Sequence, residues 1–221
     1  KTSWGFSCLI SYGGKNILFD TGGSGPVLLS NMKKLNISPK DIDIVVLSHD
    51  HWDHIGGLFS LLAENSDVKV YVHSSFSKGF KKEIKYAGAV AANIADFKEI
   101  QKNIYCTGPM GKEVKEQALC IDTEKGLIVI AGCAHPGIVN MIKRCRNKLS
   151  RPVFLVMGGF HLFDESELII RKVVADFKKL GVAKVAPCHC TGDRAIMLFN
   201  KTYGDDFIKA GAGKVIKTSE L

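Results

Sequence analysis

The sequence predicts an α/β fold of the αββα kind, with two mixed β-sheets packed face to face and helices on both outer faces. Three observations carry this expectation. Short apolar, β-branched runs recur along the chain, bounded by Gly, Pro, Asn or Asp. Strands come first and then alternate with helices, and this succession occurs twice. The side chains able to do chemistry fall at strand ends, where rigid elements can aim them.

Residues 4–12 alternate, with Phe6, Cys8, Ile10 and Tyr12 on one face. Gly13-Gly14 supplies a hairpin turn, and residues 15–19 return as a second strand. Pro26 stands where a first helical turn tolerates it, and Val27, Leu28, Met32 and Leu35 recur at helical spacing. Pro39 breaks that helix. Residues 42–47 read as a buried strand, 58–63 as a helix and 68–73 as another strand. Between 74 and 100 the pattern weakens, with Gly79, Gly88, an alanine-rich stretch at 87–95 and a lysine cluster. Helix and loop are expected there, together with a substrate lid.

Short strands follow near 104–106 and 118–122, with Thr123-Glu124-Lys125-Gly126 as the turn into a buried strand at 127–131. A helix is expected at 137–149 and a strand at 152–157. Asp164 and Glu167 have capping-box spacing ahead of a helix carrying Ile169, Val173, Phe177 and Leu180, which Gly181 ends. Residues 182–187 form the strand that delivers His189. A helix near 193–203 and a tail strand near 214–217 complete the chain. No repeat or linker divides it, so it reads as one domain over residues 1–221. It opens at Lys1 without Met, close to a strand, so the native start and a first strand are expected upstream.

Composition agrees with a globular enzyme. The chain has 221 residues, 46% of them hydrophobic and 24% charged, enough to bury a core and unlike a disordered segment. No apolar run approaches the roughly 20 residues that span a bilayer. No signal peptide is visible. Seven scattered cysteines without a CxxC pair argue against a zinc ribbon and fit unpaired thiols in a reducing cytoplasm. Cys188 and Cys190 flank His189, and strand alternation would point them away from it. The net charge of +8, with Lys69, Lys78, Lys81, Lys82 and Lys85 close together, fits a solvated helix face or a rim that attracts an anionic small-molecule substrate. No basic run interleaved with aromatics suggests nucleic acid, no membrane partner is expected, and a homo-oligomer is compatible with the sequence.

The densest chemistry lies in Ser48-His49-Asp50-His51-Trp52-Asp53-His54, directly after the run at 42–47. Two imidazoles spaced by two can point the same way from extended backbone, while Asp53 and His54 on the following bend can reach a second point. This mixed N/O set suits Zn²⁺, and also Mn²⁺ or Fe²⁺. Gly56-Gly57 then lets a helix start close by. Six of the seven histidines (49, 51, 54, 135, 161 and 189) stand at strand-to-loop junctions beside Gly or Pro. His73 is the exception, and reads as structural or as a rim group.

With Ile55-Gly56-Gly57 behind it, this stretch resembles the HxHxDH signature of the metallo-β-lactamase superfamily. Gly132-Cys133-Ala134-His135-Pro136-Gly137, Gly158-Gly159-Phe160-His161-Leu162 and Pro187-Cys188-His189-Cys190-Thr191-Gly192 are similar to one branch of it. That branch holds the 7,8-dihydropterin-6-methyl-4-(β-D-ribofuranosyl)aminobenzene-5′-phosphate synthases of methanopterin biosynthesis and many relatives known only as metal-dependent hydrolases. The resemblance runs from the Phe19-Asp20-Thr21-Gly22 region to about Gly192 and implies the same αββα fold.

It also implies one or two metals per chain, zinc first among them. His49, His51 and His135 would hold the first, and Asp53, His54 and His189 the second. Asp20 would orient ligands from behind. Much of the superfamily bridges the metals with the aspartate of a Gly-Asp strand end; here the matching dipeptide is Gly132-Cys133, so Cys133 is a candidate thiolate ligand or the second site is weak. His161 has no secure counterpart in the general pattern and is a ligand or a substrate-binding group, the latter being expected. Asp53 and His161 are the candidate catalytic groups. The implied reactions are hydrolysis of a phosphorylated small molecule, or a pterin-linked condensation that releases diphosphate. A di-iron redox protein of this fold would carry Glu in place of His51, and an RNA-processing nuclease a further module. A non-catalytic metal-dependent binding protein is the alternative of a different class.

Overall fold

The computed structural model describes residues 1–221. The first sheet has the order β1-β2-β3-β4-β5: Cys8–Tyr12, Lys15–Phe19, Ile44–Val46, Lys69–His73 and Val90–Ile94. β1 and β2 form the antiparallel hairpin, and β2 to β5 run parallel. The second sheet has the order β11-β10-β9-β8-β7-β6, made of Lys184–Cys188, Val153–Gly159, Gly126–Ala131, Leu119–Thr123, Ile104–Cys106 and Lys98–Gln101. Its β9, β10 and β11 are parallel, and β6 to β8 meander antiparallel.

Strand alternation explains the layers. Ile17 and Phe19 of β2, Ile44 and Val46 of β3, and Ile128 and Ile130 of β9 share one core between the sheets. Their alternate neighbours face outward. Leu18 and Val45 pack with Leu28, Leu61 and Ile84 under the helices α1 (Gly25–Lys34), α3 (Leu58–Glu64) and α4 (Lys78–Tyr86). Leu127 and Val129 pack with Met141, Phe177 and Phe199 under α5 (Ile138–Leu149), α6 (Glu167–Lys179) and α7 (Asp193–Tyr203). A short helix α2 (Trp52–Ile55) follows β3.

Four expectations are corrected. The alanine-rich stretch is mostly strand β5, because parallel pairing with β4 overrides local helix propensity. With α4 burying Ile84 and β5 and β6 at the sheet edges, residues 74–100 are largely scaffold rather than a lid. The cap of α6 is Ser166, whose side chain accepts from the Ile169 amide, in place of Asp164. The tail forms no strand at 214–217, only a 3-10 turn at Thr218–Glu220. Along α4, Lys78, Lys82 and Lys85 face solvent, and Lys81 bonds the Ser74 carbonyl and Asn93. No helix is long and apolar enough to cross a membrane.

Candidate metal centre

The C-terminal ends of β2, β3, β9, β10 and β11 converge, and each hands over to a loop with a candidate side chain. After β3 the chain runs extended through His49 to His51, and α2 then turns Asp53 and His54 inward. Thr21 fixes that turn from the end of β2, its amide and hydroxyl both donating to the His54 carbonyl at 2.7 and 2.9 Å. The approach is close enough that a Cβ on Gly57 would stand 2.3 Å from the Thr21 carbonyl oxygen, so only glycine fits.

Two donor groups result. The ligand-capable atoms of His49, His51 and His135 lie within 4.8 Å of one another, and so do those of Asp53, His54, Cys133 and His189. In the second group the Cys133 sulfur stands 3.1 Å from His54 Nε2 and 3.3 Å from His189 Nε2. Asp53 Oδ2 lies 3.5 and 3.3 Å from the same two nitrogens. Cys133 is thus beside the second group, and it does not join the three histidines of the first. Its other neighbours are Cys190 and His161, which form a third cluster with it.

Asp20, fully buried, sits behind both groups. Its carboxylate accepts from the Ser48 amide at 2.7 Å and from the Ser48 hydroxyl at 2.7 Å, and it meets His54 Nδ1 at 2.7 Å. Because the Ser48 hydrogen goes to Asp20, the contact of 2.9 Å between Ser48 Oγ and His49 Nδ1 requires a proton on Nδ1. The Nε2 lone pair of His49 then faces the site. His49 Nε2 and His135 Nε2 are both buried without any hydrogen-bond partner. An unpartnered ring nitrogen on each of two facing imidazoles is what a cation would satisfy, and a three-nitrogen set suits a divalent transition metal.

Electrostatics support that reading. Burial, then neighbouring imidazoles, hold the pKa of His49 well below the ordinary value, and burial followed by His161 and His51 takes His135 down to about 4. Both rings are therefore neutral and able to bind metal. Burial alone would lower His54 too, but the charge and hydrogen bond of Asp20 outweigh it and raise the ring. Cys190 is drawn down to about 5, first by a hydrogen bond from Cys133 and against burial, with His161 adding to the effect.

Sequence reasoning missed Glu116. This fully buried carboxylate accepts from the amides of Cys133, Ala134 and His135 at 2.9, 2.9 and 2.8 Å, shaping the loop that carries two candidate ligands. It precedes β8 in an ordinary polar run, and nothing local marks it. Cys190 was also misjudged. The strand ends at Cys188, and His189 adopts φ +52° in a 3-10 turn, so alternation no longer governs where Cys190 points. His73 is buried, with its ring 4.7 Å from Phe76, and so is not a rim group. His161 is exposed, its ring 4.4 Å from that of His135.

Comparison with known proteins places these features in context. Residues 5–138 match the family described as Metallo-beta-lactamase superfamily. The chain is 35% identical to the 7,8-dihydropterin-6-methyl-4-(beta-D-ribofuranosyl)-aminobenzene-5'-phosphate synthase of Methanocaldococcus jannaschii, over 92% of this chain and 84% of that one. Among solved structures it superposes on Tm1679, a metal-dependent hydrolase of the beta-lactamase superfamily, with a TM-score of 0.84 and 33% identity, covering 99% of this chain and 93% of that one. YhfI from Bacillus subtilis, a metallo-beta-lactamase fold protein, shares the fold with a TM-score of 0.74 at 16% identity, over 97% of this chain and 92% of that one.

Proposed function

This chain belongs to the metallo-β-lactamase superfamily, and from that premise we propose that it is a metal-dependent hydrolase or transferase acting on a phosphorylated or diphosphorylated small molecule. The observation that carries the reading is the pair of donor groups, His49, His51 and His135 beside Asp53, His54, Cys133 and His189, backed by one carboxylate. The first set would hold one divalent cation and the second another, with the Cys133 sulfur as a donor of the second. Nitrogen, carboxylate and sulfur donors together favour zinc over Mn²⁺. A bound cation would supply Lewis acidity toward a phosphoryl or carbonyl oxygen and lower the pKa of water.

The protein's own groups do the rest. Asp20 and Ser48 fix the imidazole tautomers, so the rings need no rearrangement on binding. Asp53 offers Oδ2 between two imidazoles, where it can orient a nucleophile or take its proton. His161 is exposed beside the first group and is held above its ordinary pKa, chiefly by its hydrogen bond with Cys190 and against burial. It can therefore present an N–H to an anionic oxygen of the substrate. The net charge of +8 favours approach of a phosphorylated compound.

The synthase name of the Methanocaldococcus relative favours the transferase form, in which an aminobenzene compound is joined to a pterin; the family resemblance implies that diphosphate leaves. We read the chain as one cytoplasmic domain, which its seven free thiols support. Purified protein loaded with Zn²⁺, Mn²⁺ or Fe²⁺ should be assayed with pterin diphosphates and with a panel of phosphoesters. Turnover that depends on metal and releases diphosphate or phosphate is expected. No turnover of any member with any metal would contradict the proposal.

A further inference from the structure

In the third cluster Cys133 and His161 already have parts in the chemistry proposed above, and Cys190 has none beyond its hold on His161. Cys133 and Cys190 come from loops 57 residues apart in sequence, yet their sulfurs and a ring nitrogen of His161 lie within 4.8 Å of one another. The Cys190 sulfur also reaches 3.6 Å from the Cys133 carbonyl oxygen. Neither thiol is in a disulfide, and both are buried, at 4% and 3% exposure. His161 is the exposed member of the cluster. The chain has another close thiol pair, Cys120 and Cys145, but both are fully buried in the core.

We propose that Cys190 and Cys133 form a hydroperoxide-sensitive thiol pair, in which oxidation to a disulfide withdraws Cys133 from the second donor group. The oxidant is a small hydroperoxide such as hydrogen peroxide. The Cys190 thiol attacks one peroxide oxygen; an S–O bond forms, the O–O bond breaks, and the departing hydroxide leaves as water with the Cys190 proton. The Cys133 sulfur then attacks Cys190 Sγ. The S–S bond forms as the S–O bond breaks, and the second hydroxide leaves as water with the proton from Cys133. Two thiols lose two electrons, and one peroxide becomes two waters.

A disulfide removes the thiolate that the Cys133 sulfur, standing between His54 and His189, would offer a cation. Loss of metal from that group follows; this consequence rests on Cys133 being a donor there, whereas the disulfide itself does not. The centre would then lose its second cation under oxidising conditions and regain it on reduction.

Zinc-loaded full-length protein should be treated with a modest excess of hydrogen peroxide, then alkylated, digested and examined by mass spectrometry, with released zinc followed by a chromogenic chelator. A Cys133–Cys190 cross-linked peptide is expected, with loss of two alkylatable thiols and release of one zinc equivalent that a dithiol reverses. Cys190→Ser and Cys190→Ala should both keep their zinc under the same treatment. Absence of that peptide, or a cross-link between other cysteines in its place, overturns the proposal. The cross-link without zinc release would uphold the thiol pair and overturn the reading of Cys133 as a donor.

Discussion

Asp20 ties the two donor groups together through one carboxylate, since Ser48 and His54 both lean on it. The Cys133 sulfur lies within 3.3 Å of two imidazole nitrogens, those of His54 and His189. Cys133→Asp should therefore tighten the second metal, and Cys133→Ser should weaken it, when affinities are measured by chelator competition. Equal affinities in all three proteins would remove Cys133 from the site. For His161, alanine should lower turnover by roughly 10²-fold, the size expected when one transition-state donor is lost, while metal content stays near wild type. Loss of a metal equivalent in His161→Ala would make it a ligand instead. The cluster from His49 to His54 was legible because its donors are adjacent in sequence and need no tertiary information. Glu116 and Cys190 were not, because one acts through a loop 17 to 19 residues away and the other points inward only through a turn that breaks strand alternation.

At the scale of elements, every candidate donor stands beyond a strand's C-terminal end, and the strands must pack closely to bring them together. β9 and β10 show how closely. Gly158 pairs with Ala131 at φ +111°, and a Cβ there would lie 2.0 Å from the Ala131 carbonyl oxygen. Gly158→Ala should therefore cost about 2 kcal/mol or more in denaturant unfolding of metal-free protein. A change within error of zero would show that the two strands have slack at this point. Most strands were legible from period-two alternation, as were α1, α5 and α7 from helical spacing. β5 was not, because Ala91 and Ala92 carry no strand signal, and the parallel ladder with β4 decides their conformation. The failed tail strand has the opposite cause. Val215 and Ile216 are apolar enough, but no sheet edge receives them.

For the whole molecule, two sheets back to back bury a ring of neutral imidazoles at one end. His49, His73, His135 and His189 all fall below the ordinary value of 6.5, with burial the largest cause in each and His73 and His135 at about 4. Unfolding exposes them, so near pH 5 the unfolded chain binds protons that the folded chain does not. Their stabilising contribution is present above 6.5 and lost as pH falls toward 4. Glu116, raised by burial from 4.5 to about 7, and the raised rings of His54 and His161 act in the reverse sense over that range, but they are three groups against four. Metal-free protein should thus unfold at lower urea at about pH 5 than at about pH 7. An equal or higher midpoint in acid would mean that these imidazoles are not buried in the neutral form.

If two separate donor groups hold metal, elemental analysis of purified protein will find them. Wild type should carry about one to two transition-metal equivalents, with zinc foremost. The His49→Ala, His51→Ala double variant should stay folded but lose the equivalent held by His49, His51 and His135, and activity with it. Undiminished metal content in that folded double variant would show that these histidines hold no metal.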